Sequence, residues 1–214
     1  SYFFSGLKLA ILTFLSDTIK RVCPYSLIFE IRISIVVKTA IYKKEKVTFL
    51  DKGKGRAVVL LHGFLGSHQI WKPAIDNLSK SYRVIAIDLP GHGNTPCFGY
   101  AHSMELMAKC VKAVLDSLRL KKYVLIGHSM GGYVSLAFAD LYPDHLRGLC
   151  LYHSTGYADT EEKKRDRLRA INLVKTNKTV YTKTTIQNLF ATKNLKYLRE
   201  EVAFAGNIAK QTSK

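Results

Sequence analysis

Six residues constrain this chain more than any others: Gly127-His128-Ser129-Met130-Gly131-Gly132. The apolar run from Tyr123 to Gly127 predicts a buried strand, and the stretch from Met130 to Tyr142 predicts a helix. A serine on so tight a strand-to-helix turn needs glycine two positions before it and two after, because a Cβ at either place would strike neighbouring backbone. The turn lifts the Ser129 hydroxyl clear of the sheet, beside a helix N-terminus whose N–H groups and dipole favour negative charge. The competing reading is a glycine-rich turn with an incidental serine. The strand before it and the helix after it count against that.

Strand and helix patterns alternate on both sides of this turn. Thr39–Tyr42 and Lys46–Asp51 are β-prone runs about the charged turn Lys43-Lys44-Glu45, and they predict a hairpin. Ala57–Leu61 is a continuous apolar run, as in a strand buried on both faces, and Tyr82–Asp88 reads as the next buried strand. A helix is expected from His68 to Ser79, with Pro73 in its first turn. Another follows the N-cap Ser103 and runs to Leu118, with Met107, Cys110, Val111, Val114, Leu115 and Leu118 on one face. Leu146–Tyr152 reads as a further strand. From Ala158 onward the pattern is helical and charged, with helices expected over 160–176, 182–191 and 195–210 and no strand evident.

This alternation predicts an α/β fold: a mostly parallel sheet with helices on both faces, an antiparallel hairpin at its edge and a helical cap after it. The expected division is an extension over 1–37, a core over 38–156 and a cap or lid over 157–214. The extension holds two apolar runs, Leu7–Leu15 and Tyr25–Val37, both interrupted by charge and short of the ~18 residues of a membrane span. They read as an extension, or as translated upstream sequence, rather than as a membrane contact.

Four cysteines, Cys23, Cys97, Cys110 and Cys150, are scattered without a C-x-x-C pair. That argues against a disulfide framework or a zinc site and suits a reducing, cytoplasmic setting. The net charge of +17 is uneven: +7 over 1–56, +3 over 57–156 and +7 over 157–214. No nucleic-acid motif accompanies it, so the excess reads as solvated lysine-rich surface and not as a nucleic-acid site.

Three motifs in order, His62-Gly63-Phe64, Asp88-Leu89-Pro90-Gly91-His92-Gly93 and the serine turn, resemble the α/β-hydrolase fold family over residues 38–214. The resemblance implies that Ser129 is the nucleophile and that the backbone N–H groups of Phe64 and Met130 form its oxyanion hole. His62, Gly63, Trp71 and His128 are the candidate substrate-side neighbours, with His62 also suited to support the oxyanion loop by hydrogen bonding. In this family the triad acid and histidine follow later strands. Here the last histidine is His153, only 24 positions after Ser129, and Asp159 is a minor candidate for the acid. The chain is therefore expected to end inside or just after the cap, with its C-terminal strands missing and its triad incomplete. The implied function is hydrolysis of a small carboxylic ester or related acyl compound through an acyl-enzyme, weak or absent in the chain as given, with no cofactor and no metal. The alternatives are a lyase or synthase similar to the menaquinone-pathway enzyme, and a binding module without catalysis.

Overall fold

The structure is a computed structural model and describes residues 37–212. Apart from Val37, the two apolar runs of the N-terminal stretch lie outside the described residues. Val37 itself opens the first strand, so the core begins one residue before its expected boundary.

Six strands form one open mixed sheet: β1 (Val37–Tyr42), β2 (Glu45–Lys52), β3 (Ala57–Leu61), β4 (Arg83–Ile87), β5 (Tyr123–His128) and β6 (Leu146–Tyr152). Their spatial order is β1-β2-β4-β3-β5-β6. The hairpin β1–β2 and the pair β2–β4 are antiparallel, while β4–β3, β3–β5 and β5–β6 are parallel. Lys43 and Lys44 both take positive φ (49° and 73°), which matches the twist of a two-residue hairpin turn.

Helices cover β3 on both sides, which is why Ala57–Leu61 can be apolar throughout. On one face Val59, Leu61, Ile85, Ile87 and Leu125 pack with Val111 and Val114 of α2 (Met104–Ser117) and Val134 and Phe138 of α3 (Met130–Leu141). The other face sets Leu60, Val84 and Ala86 against Ile75 of α1 (Lys72–Leu78). Ser103 caps α2 as expected, accepting from the Leu106 N–H at 3.1 Å.

Two helical expectations need refinement. The helix over 68–79 is a 3-10 turn at His68–Trp71 followed by α1, because Pro73 starts a new helix rather than sitting inside one. The break expected over 177–181 is a kink in α4 (Glu161–Asn188), where Asn177 alone leaves helical geometry (φ −150°, ψ 80°). The Asn177 side chain accepts from the Val180 N–H at 3.0 Å and so caps the second half of α4. A 3-10 turn at Thr192–Asn194 leads to α5 (Arg199–Lys210). These helices seat on the sheet domain through a small apolar cluster of Leu65, Ile186 and Ala209. No helix among the described residues is long and apolar enough to cross a membrane.

Candidate active site

Register brings the three motifs together. Leu61 of β3 is level with Ile87 of β4 and with Gly127 of β5. The loops that follow these residues therefore leave the sheet side by side at its carboxyl edge. Between β4 and β5 the chain crosses from one side of β3 to the other, which opens a crevice of the kind where α/β sheets bind ligands.

Ser129 sits in that crevice with φ 51° and ψ −115°, a conformation that costs on the order of 1–3 kcal/mol for a residue with a side chain. Its surroundings hold it there. The Ser129 N–H donates to the Tyr152 carbonyl at 3.1 Å, and the Ser129 carbonyl accepts from the Gly132 N–H at 2.9 Å and from the Ser154 hydroxyl at 2.8 Å. A Cβ on Gly127 would overlap the Gly131 carbonyl, and one on Gly131 would lie 2.5 Å from the Leu61 carbonyl oxygen. The start of α3 is thus packed backbone against backbone on the strand ends, which only glycine allows. The Ser129 hydroxyl itself makes no hydrogen bond among the described residues.

The loop after β3 lies against this turn. A Cβ on Gly63 would be 3.2 Å from the Ser129 Cβ and 2.9 Å from His128 Nδ1. The loop closes as a turn in which the Gly66 N–H donates to the Gly63 carbonyl at 3.0 Å, with Leu65 at φ 61°. The Phe64 N–H has no partner among the described residues. Met130 is the first residue of α3, so its N–H has none within the helix. Two free backbone donors therefore flank a free serine hydroxyl. The Phe64 ring stands edge-on to His92 at 5.7 Å and meets Tyr181 of α4 at 6.4 Å.

His62 and Asp88 build the frame beneath. His62 is fully buried; its Nε2 accepts from the Leu89 N–H at 2.9 Å, so the proton sits on Nδ1, which donates to the Gly63 carbonyl at 2.8 Å. Burial, then the neighbouring His92, push its pKa down to about 4, so the ring stays neutral. Asp88 is also fully buried and accepts from the His68 N–H (2.7 Å), from His68 Nδ1 (2.8 Å) and from the Asn94 N–H (3.0 Å). Burial raises its pKa, but these hydrogen bonds, the one from the His68 ring foremost, outweigh that, and the carboxyl stays below its usual range. Sequence reasoning placed Asp88 in a turn and missed His68 as its partner, since 20 residues separate them and no local pattern links them.

Trp71 and His128 lie together on the α1 side of the turn, rings perpendicular at 6.3 Å, with Tyr152 6.0 Å and 5.8 Å from them. Trp71 Nε1 and His128 Nδ1 are buried without partners among the described residues. Of the other histidines, His92 donates to the Pro90 carbonyl, His102 accepts from the Phe98 N–H and His145 meets the Lys121 carbonyl. His153 at φ 46° is exposed and packs on Tyr152. Asp159, the minor candidate acid, is engaged by Arg167 of α4. Among the described residues no histidine–carboxylate pair hydrogen-bonds Ser129.

The comparisons with known proteins agree with this fold. A family model described as alpha/beta hydrolase fold matches residues 56–189. A Bacillus subtilis (strain 168) protein, provisionally named 2-succinyl-6-hydroxy-2,4-cyclohexadiene-1-carboxylate synthase, is 39% identical over 114 residues, covering 52% of this chain and 41% of that protein. A thermophilic esterase structure from Thermogutta terrifontis superposes with a TM-score of 0.73 at 31% identity, covering 81% of this chain and 65% of that one. The enol-lactonase from Burkholderia xenovorans LB400 superposes with a TM-score of 0.75 at 19% identity, covering 82% and 68%, a likeness of fold. The matched stretch spans less than half the length of the curated relatives.

Proposed function

The chain belongs to the α/β-hydrolase fold family, and from that premise we propose that it carries the nucleophile and oxyanion half of a serine esterase site. Ser129 attacks the carbonyl carbon of a small carboxylic ester, the alkoxide leaves, and an acyl-enzyme forms and is released by water. The Phe64 and Met130 N–H groups receive the negative charge on the carbonyl oxygen, where one donor is worth roughly 3 kcal/mol in the transition state. His62 and Asp88 act through the loops they hold, Gly63 keeps the loop close, and Trp71 and His128 line the flank. The observation that carries this reading is Ser129 itself: a hydroxyl without a hydrogen bond among the described residues, on a strained turn at a helix start.

A serine hydroxyl needs a base, and none is paired with Ser129 among the described residues. The 214-residue chain is therefore expected to turn over p-nitrophenyl acetate slowly, with a rate that keeps climbing with pH because hydroxide replaces the base. A plateau above pH 7 would instead report a histidine base within the chain. Ser129→Ala should drop the rate to the solvent background, and intact mass should show one acyl group on the parent protein. Hydrolysis undiminished in Ser129→Ala overturns the reading. The Bacillus relative's name favours a second reading, a synthase or lyase on the same residues. That reading forms no acyl-enzyme, so the mass measurement separates the two.

A further inference from the structure

The loop that carries Phe64 is held from two directions, and only one of them belongs to the sheet domain. From within that domain, the Gly63 carbonyl accepts from the Gly66 N–H at 3.0 Å and from His62 Nδ1 at 2.8 Å. The Gly63–Phe64 peptide is trans and planar, so fixing that carbonyl turns the Phe64 N–H the opposite way. These bonds set the direction of the peptide at one end only. At the other end Leu65 takes φ 61°, a conformation that a residue with a side chain keeps only where its surroundings hold it.

The second hold comes from the cap. Leu65 is buried in one cluster with Ile186 and Ala209, and Tyr181 packs on the same cluster. The Tyr181 ring also meets the Phe64 ring, with centroids 6.4 Å apart and planes at 57°. Such a pair adds a modest, geometry-dependent attraction beyond its buried area. Phe64 meets His92 as well, at 5.7 Å and 78°. His92 is buried, anchored to the Pro90 carbonyl, and 5.2 Å from the His62 ring. Four rings therefore touch in series, His62, His92, Phe64 and Tyr181, from the buried frame to the cap. The first three stand on loops of the sheet domain. Tyr181 alone belongs to the cap, one turn past the Asn177 kink that redirects α4.

Resting on the esterase reading above, we infer that Tyr181 is a positioning residue for that reaction. Its ring clamps Phe64 and so keeps the Phe64 N–H aimed at the carbonyl oxygen of an ester on Ser129. The oxyanion hole is then complete only while the cap is seated, because one wall of the Phe64 clamp is a cap residue. Tyr181 acts through Phe64 and touches no reacting atom. The contact is ring on ring, so phenylalanine can replace tyrosine in it and alanine cannot.

The test is the kinetics of p-nitrophenyl acetate hydrolysis by the 214-residue chain and its variants. Tyr181→Ala should lower kcat about three- to tenfold with KM unchanged, the range that one aromatic pair commands. Tyr181→Phe should restore the parent kcat, and Val180→Ala, at the exposed neighbouring position, should keep it. Phe64→Ala retains the backbone donor and removes the clamped ring from a half-exposed site, so it folds and should lower kcat by a similar factor. Adding Tyr181→Ala to Phe64→Ala should then change nothing further. An unchanged kcat in Tyr181→Ala, no rescue in Tyr181→Phe, or fully additive losses in the double variant overturns the inference while Ser129-dependent hydrolysis stands. Hydrolysis undiminished in Ser129→Ala overturns the esterase reading instead, and the inference with it.

Discussion

The serine turn and the cap are adjacent in this molecule and built on opposite terms. Around Ser129, backbone meets backbone: Gly131 against the Leu61 and His62 carbonyls, Ser129 bonded to Tyr152 and Ser154, and Asp88 pinning His68 and Asn94. No side chain can be added at Gly127 or Gly131 without moving a carbonyl. The cap rests instead on three buried apolar residues, Leu65, Ile186 and Ala209, and leaves Leu168, Ile171, Leu173, Val180 and Leu189 exposed. A site that must present a strained serine and a free N–H needs walls that do not yield. A cover over such a site needs only a shallow seat, and shallow seats open at low free-energy cost.

Four measurements break or sharpen this contrast, from the largest expected effect to the smallest. Gly127→Ala forces a methyl into the Gly131 carbonyl and should cost about 3 kcal/mol or more, seen as a lower urea midpoint with an unchanged m-value. A change below 1 kcal/mol would mean that α3 slides freely on the strand ends. His62 gives the next effect through pH. The unfolded ring takes its proton near pH 6.5 and the folded ring only near 4. Between those values the unfolded state binds more protons, so stability is complete above pH 6.5 and is lost as pH falls toward 4, by on the order of 2–3 kcal/mol. His62→Gln should flatten this slope while retaining an acceptor and a donor; an unchanged slope would assign it to other groups.

Ile186→Ala empties the cap's seat. The expected loss is about 2 kcal/mol confined to the cap, read as faster amide exchange in α4 and α5 while β3 and β5 keep their protection. Equal loss of protection in the strands would show cap and sheet unfolding as one unit. Arg167→Ala removes the pairing with Asp159 and the contact of its guanidinium over the Tyr133 ring, at the cap's exposed first turns. No measurable change in the thermal midpoint is expected, since solvent screens such a pair.

Most of the sheet was legible in the chain. Ala57–Leu61 announces a doubly covered strand because five apolar residues in a row have no other stable place. The stripe from Met107 to Leu115 announces α2 because its spacing fits only one helical face. Gly127 and Gly131 announced the serine turn by steric necessity. Less legible were features resting on distant partners. His62 was expected to hydrogen-bond near the loop after β3, but its partners, the Leu89 N–H and the Gly63 carbonyl, could not be named from the chain. His68 carried no signal, since its role exists only once β3 and β4 lie side by side. The kink at Asn177 looked like a gap between helices because a capping side chain within a helix and a loop have similar composition.

By itself, then, the sequence determined the order of strands and helices and the identity of Ser129, because both depend on local sterics and on the period of apolar residues. The tertiary structure decided which groups are free and which are spent. Seven histidines are equal candidates on paper. Folding engages five of them with carbonyls, backbone N–H groups or Asp88, and among the described residues leaves His128 and His153 with ring contacts alone. Hydrogen-bond partners are assigned by packing across tens of residues, and no local pattern records that assignment.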